Sequence, residues 1–338
     1  LGSEMEGKKY IHPLLDEIPK LAEISTQENY HVTVAEDFVD VNAGSGLVHL
    51  SPANGEEDNN IAMKRGVTIF CPIDDQVKFT EDAGKYAGLF VRNADEQLVE
   101  SIKEKNALVK IGKIKHKYPK CWRCSHGLIW LARREYFYML DKLGDKAIKA
   151  AENVEYFFEQ PKNRFLEIIK EKHPWCISRE RFWGCPIPIW KCAECGNIER
   201  LFSRKEIVDS AVELPDGENF ELHRPWIDKI KIKCKKCGAG MDREEFVLDT
   251  WHNSGSAPIS SLDDVTYKEK IPAPFFTEGI DQTRGWAYTL LIENVIYNNE
   301  PVSPYKSFLF QGHVLDENGN KMSKSKGNVL EAKELLEK

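Results

Sequence analysis

No stretch of these 338 residues is long and apolar enough to cross a bilayer, and the opening Leu1-Gly2-Ser3-Glu4 has no signal-peptide character. A soluble cytoplasmic protein is therefore expected. Positive charge is not in excess: 47 Lys and Arg face 54 Asp and Glu, for a net charge of -7, which argues against a general nucleic-acid coat. Repeats and low-complexity tracts are absent. Without secretory features, disulfides are not expected either, so the nine cysteines read as thiols or metal ligands.

What is present is a soluble globular composition, 41% hydrophobic and 30% charged, on a chain too long for one ordinary core. Two or three domains follow from that length. Lysines crowd 103–120 and 229–236, which reads first as solvated faces and second as a surface for RNA phosphates.

Six of the nine cysteines fall in three C-x-x-C pairs. Cys192-Ala193-Glu194-Cys195 and Cys234-Lys235-Lys236-Cys237 are each followed by a glycine that lets backbone amides turn toward thiolates. Together they offer four ligands, enough to close a tetrahedron around a structural Zn²⁺, with an insertion between the knuckles. A redox dithiol is the competing reading, and the thioredoxin-like context it needs is missing. Cys121 and Cys124 are half of a second site; His116 and His126 nearby read as solvated rather than as ligands.

The end of the chain reads as α/β. Phe275–Ile280 is an apolar strand with its end, Asp281–Tyr297 a largely apolar helix, and Phe308–Gln311 a buried strand within Ser307-Phe308-Leu309-Phe310-Gln311. In a parallel doubly wound sheet ligands sit at the carboxyl ends of strands, which places Glu278, Gly279, Asp281, Gln282, Gly312 and His313 on one rim. Lys321 and Lys324 follow on a glycine-bounded loop, where two ammonium groups can neutralise a polyphosphate. Asn328 and Glu331 have N-cap and N3 spacing, so a helix is expected from there. Upstream, His31–Val34 alternates like a half-buried strand, Gly44–Asp58 reads as loop, strand and loop, and 133–172 holds two helical patterns around the breaker Gln160-Pro161-Lys162-Asn163. Phe165, Ile168 and Ile169 share a face of the second pattern.

Five strings carry a family resemblance. Lys321-Met322-Ser323-Lys324-Ser325 matches the KMSKS signature of class I aminoacyl-tRNA synthetases. Trp175-Cys176-Ile177-Ser178-Arg179-Glu180-Arg181-Phe182-Trp183-Gly184-Cys185-Pro186-Ile187-Pro188 resembles the return segment of the isoleucyl, valyl and leucyl subgroup. Val247-Leu248-Asp249-Thr250-Trp251-His252-Asn253-Ser254-Gly255-Ser256 resembles its V-L-D-x-W-x-D-S-G-S, and Gly44–Asp58 resembles its editing segment. Thr277-Glu278-Gly279-Ile280-Asp281-Gln282-Thr283-Arg284-Gly285-Trp286 is closest to the isoleucyl branch.

The resemblance implies an internal fragment: a partial editing domain over 1–117, a return segment with the zinc ribbon over 118–245, and the second half of a Rossmann-like catalytic domain over 246–338. No HIGH-type histidine pair and no anticodon-binding domain is found, so the fragment alone is expected to be inactive. The implied reaction is ATP-dependent activation of L-isoleucine and its transfer to tRNA(Ile), by a monomer with no membrane partner. Lys321 and Lys324 would be catalytic, with Mg²⁺ accompanying ATP. Glu278, Gly279, Asp281, Gln282 and Gly312 would hold the adenylate, Trp251 and Trp286 would wall the isoleucine pocket, and His313 would lie against the nucleotide. Asp58 and His49 would edit misattached valine. A single methylene is worth only about 1–3 kcal/mol to a pocket, a limit for which isoleucyl enzymes are themselves the standard example. The rival readings are a non-catalytic zinc-bearing RNA-binding module derived from a synthetase, and a valyl enzyme.

Overall fold

The computed structural model describes residues 2–337 except Val41, Ala43, Ile114, Trp122, Arg123, Ser325 and Lys326; for Ala332 and Leu335 it describes the backbone alone. The chain divides into two units, Leu1–Arg134 and Glu135–Lys338. No helix among the described residues is long and apolar enough to cross a membrane.

Unit 1 is poor in regular structure. Its main helices are Pro19–Ile24, Glu56–Arg65 and Asp95–Glu104. Leu14, Ala83 and Tyr86 form a small core with Ile18 and Phe79 packed on it. The strand expected over His31–Val34 is replaced by a single antiparallel bridge, Lys9 to Val32. His31 has φ 50°, in the left-handed region, and that breaks an extended run at its first residue. The strand expected within Gly44–Asp58 is likewise absent: Ser51 to Asn54 turn instead, with the Asn54 amide donating to the Ser51 carbonyl at 2.8 Å. The acidic cluster that closes this segment starts a helix, where Glu56, Glu57 and Asp58 meet the positive end of the dipole.

Unit 2 is α/β around a three-stranded parallel sheet, with Ser307–Gln311 between Phe276–Gly279 and Glu155–Tyr156. Two parallel neighbours need a crossover, and the helix Trp286–Asn298 supplies it. That helix is apolar nearly all round, so it is buried on most of its surface: Ala287, Leu290, Leu291 and Val295 join Phe308 and Phe310 in the core. It begins five residues later than the sequence pattern suggests, because 280–284 forms a 3₁₀ turn first. Further helices, Gly144–Glu152 and Glu159–Lys170, complete the layer. Pro161 lies in the first turn of the second helix rather than between the two, a position where its missing N–H is not needed. Phe165, Leu166 and Ile169 are buried on that helix, while Ile168 is half-exposed.

A five-stranded antiparallel sheet holds the cysteine pairs, in the order Ile198–Arg200, Ile189–Lys191, Gly240–Arg243, Lys231–Lys233, Ala211–Glu213. The insertion between the pairs contains the helix Arg204–Ser210, held by a Ser203/Glu206 capping box. Trp190, Ile207, Phe220, Ile232 and Met241 give this sheet its own core. Beside that core the fully buried Arg243 guanidinium donates through Nε to Asp228 at 2.7 Å.

Candidate functional site

The strand Phe276–Gly279 is in register with Phe308–Gln311, so both ladders end together and deliver Glu278, Gly279, Gly312 and His313 to one edge. Asp281 follows at once. Its Oδ1 lies 3.9 Å from His313 Nε2, and its Oδ2 accepts from Gln282 Nε2 at 3.3 Å. A Cβ on Gly279 would come 2.7 Å from Asp281 Oδ1, so a side chain there would push this carboxylate aside. Gln282 also serves the long helix, which it caps: its Oε1 accepts from the Trp286 amide at 2.8 Å. The rim residues placed together by the sequence pattern are thus together in space, and Gln282 is partly committed to the backbone.

Trp286 is fixed at its edge, Nε1 donating to the Ser254 carbonyl at 2.9 Å, and its face meets Phe276 at a centroid distance of 5.5 Å. Trp251, on the helix Thr250–Gly255, remains 43% exposed with its ring edge beside Gly285. On the same helix, the next residue belongs to a buried polar cluster that the sequence did not signal. His252 Nε2 is 2.9 Å from the Tyr138 hydroxyl and 3.6 Å from Glu293 Oε1. Burial pushes the Glu293 carboxyl up to about 8 and lowers the His252 imidazole, against which the Asp249 carboxylate works. Among the described residues neither His252 Nδ1 nor Glu293 Oε1 has a hydrogen-bond partner.

The lysine loop follows the sheet. Lys321 and Lys324 are exposed, and among the described residues neither side chain forms an ion pair or a hydrogen bond to the rim. The helix expected to begin at Asn328 starts at Ala332, with Glu331 as a cap that makes no side-chain bond. Asn328 is drawn away from a capping role because its amide is engaged by the loop itself.

The four ribbon cysteines converge. Their sulfurs all lie within 4.8 Å of one another, with Cys192–Cys237 at 3.5 Å and Cys195–Cys234 at 3.6 Å. These separations are far beyond a disulfide. They fit a tetrahedral zinc, whose bonds of about 2.3 Å put sulfurs about 3.8 Å apart. The backbone amides of Cys237 and Lys236 aim at Cys234 and hold its thiol well below the usual range, as a thiolate ligand requires. Three of the five lysines in 229–236 are locally paired: Lys229 meets Asp216, Lys231 meets Asp242 and Lys235 meets Glu199. That favours a solvated face for this crowd. At the pair Cys121 and Cys124, the Cys121 amide donates to the His126 carbonyl at 2.8 Å and the Ser125 amide donates to the Cys121 carbonyl at 2.9 Å. Among the described residues, however, they join no group of three or more potential ligands of the kind the ribbon cysteines make.

In unit 1 a cavity of about 230 Å³ gathers Asp58 and His49 with apolar neighbours such as Leu21 and Ile61. One carboxylate oxygen of Asp58 accepts from the Ser51 amide at 2.9 Å, the local role that a loop aspartate commonly has. Two further histidines line this cavity. His12 and His31 stack at 5.3 Å, flanked by Tyr10 and Tyr30. Burial lowers the pKa of both, and repulsion from His49 adds to it. Sequence reasoning missed them because no spacing rule links 12 to 31 or to 49.

The family model for class I tRNA synthetases (I, L, M and V) matches residues 6–338. The isoleucine–tRNA ligase of Methanocaldococcus jannaschii is 41% identical over 338 residues, which cover 100% of this chain and 32% of the relative. The isoleucine–tRNA ligase of Methanothermobacter thermautotrophicus is 41% identical with the same coverage, and that of Methanopyrus kandleri is 38% identical with 33% of its length covered. The chain therefore spans about a third of the length of the curated relatives it matches.

Proposed function

The chain belongs to the class I tRNA synthetases (I, L, M and V), and on that premise we propose that it forms part of an isoleucine–tRNA ligase. We read unit 2 as the second half of the Rossmann-like catalytic fold with a zinc ribbon, and the cavity of unit 1 as part of a hydrolytic editing site. The observation that carries the proposal is the coincident strand ends, which put the Glu278–Gln282 string and His313 on one rim, in a chain about 40% identical throughout to three isoleucine–tRNA ligases.

In the first step an isoleucine carboxylate oxygen attacks the α-phosphorus of ATP; the bond to the bridging oxygen breaks and pyrophosphate leaves. In the second, a ribose hydroxyl at the end of tRNA(Ile) attacks the acyl carbon, and AMP departs. Glu278 and Asp281 offer carboxylates for the α-ammonium, Gly279 and Gly312 offer close backbone approach, and His313 faces the nucleotide. Trp251 and Trp286 wall the side-chain pocket. Lys321 and Lys324 carry the charge that develops on pyrophosphate, a stabilisation made mainly in the transition state. Mg²⁺ bound with ATP would share that neutralisation. Cys192, Cys195, Cys234 and Cys237 would hold a structural Zn²⁺ that takes no part in the bonds that change.

For editing, the Asp58 oxygen not engaged by Ser51 would anchor the ammonium of misattached valine, with His49 beside it. The test is ATP–pyrophosphate exchange by the full-length gene product. Isoleucine should drive it with a kcat/KM about 10²-fold above valine. Exchange driven best by valine or leucine would refute the assignment, and Lys324→Ala should lower kcat about 10²–10³-fold.

A further inference from the structure

Asn328 ties together the described parts of the segment that carries the lysines. Asn328 Oδ1 accepts from the Ser323 amide at 2.9 Å, while its Nδ2 donates to the Lys321 carbonyl at 3.4 Å and to Asp316 Oδ2 at 2.8 Å. Asp316 is itself held in a tight hairpin. Its Oδ1 accepts from the amides of Asn318 and Asn320 at 3.0 and 2.7 Å, and Asn320 Nδ2 reaches Oδ2 at 3.4 Å. Gly319 takes φ +76° at the turn, and Leu315 bridges Lys321 across the hairpin. These donors, the Asn328 amide first, hold the Asp316 carboxyl below its usual range.

We propose that Asn328 and Asp316 form a clasp that fixes the backbone under Lys321 and Lys324, making both positioning residues for adenylate formation. The clasp rests on the catalytic reading of those two lysines. A lysine side chain is long and rich in rotamers, so an ammonium can meet a developing charge reliably only if its Cα is already placed. Asn328 touches the loop at the carbonyl of the first lysine and at the amide directly before the second. It needs one acceptor and two donors for this, an inventory that an asparagine side chain has and an aspartate lacks. A carboxylate at 328 would lose both donors and face the Asp316 carboxylate at hydrogen-bond distance.

The charge arrangement makes the test specific. In the full-length protein, Asn328→Asp should lower kcat for isoleucine-dependent ATP–pyrophosphate exchange about 10–100-fold, with KM for isoleucine within about 2-fold and an unchanged melting temperature. Pairing it with Asp316→Asn restores a donor opposite the new carboxylate and should recover kcat to within about 5-fold of wild type. In a Lys324→Ala background, Asn328→Asp should cost at least about 3-fold less than it does in the wild type, since one of the two lysines it positions is gone. A wild-type kcat for Asn328→Asp beside a crippled Lys324→Ala would overturn the clasp alone. So would a loss that neither the paired substitution nor the Lys324→Ala background diminishes. Full exchange by Lys324→Ala would instead overturn the lysine reading, and the clasp's role with it.

Discussion

The cysteine ribbon of unit 2 and the histidine cavity of unit 1 both gather ionisable side chains, and they differ in how. In the ribbon the four sulfurs face one another within 4.8 Å, and backbone amides turn toward them. In the cavity His12, His31, His49 and Asp58 surround a hollow of about 230 Å³, and Asp58 gives one oxygen to its own loop. A closed set satisfies its ligands internally and is built for a cation. An open set leaves polar groups facing space that a small molecule can fill. The difference predicts that ribbon substitutions act on stability and cavity substitutions on turnover.

The largest effect is expected at the ribbon. Cys192→Ser should reduce bound zinc from about one per chain to near none, because three thiolates leave the tetrahedron open. Metal analysis after gel filtration checks this, together with the loss of a chelator-sensitive step in thermal melts. Full zinc retention with wild-type stability would erase the distinction between the two sets. Removing Cys121 should change the zinc content far less, since it stands outside the four-sulfur group.

The same contrast explains what could be read from sequence. The ribbon was legible because its ligands share one residue type, come in local pairs and end on glycines, so spacing alone carries the geometry. The parallel strand, helix, strand order was legible because apolar runs of the right length lay between punctuating residues. His12 and His31 were not, because long-range packing brings them together. The His31–Val34 strand failed for a related reason: alternation predicted it, but His31 takes φ 50° where its ring packs against Tyr10 and His12. Asn328 showed cap spacing and was claimed instead by Ser323 and Asp316, contacts that no local pattern encodes.

A smaller effect on stability and a large one on fidelity are expected at Asp58. Asp58→Ala removes the acceptor for the Ser51 amide, a loss of about 1 kcal/mol for one hydrogen bond at a half-exposed site. If the cavity edits, hydrolysis of valyl-tRNA by the full-length enzyme should fall by more than about 10-fold while isoleucine activation stays normal. Clearance of valyl-tRNA at the wild-type rate by the folded variant would leave Asp58 as a loop-closing residue only.

The pair Glu293 and His252 differs from both cases, packed like the ribbon but with an unsatisfied buried atom on each side chain among the described residues. Its signature is a pH dependence of stability, and the sign follows from proton counting. Glu293 titrates near its ordinary value of about 4.5 when unfolded and at about 8 when folded. Between those values the native state holds a proton that the unfolded state has released, so this carboxyl makes stability fall as pH rises and then level off above about 8. His252 works in the opposite direction, because its lowered pKa leaves the unfolded state with the extra proton, but only below the ordinary histidine value of about 6.5. The window from about 6.5 to about 8 therefore isolates the carboxyl. Glu293→Gln keeps the shape and a donor while removing the charge. It should match wild type near pH 6.5 more closely than at pH 9, where it should be the more stable of the two by about 1–3 kcal/mol. Parallel melting curves of the two proteins across this window would show it. A constant difference between them would mean that Glu293 is ionised throughout this window and that burial does not raise its carboxyl as described.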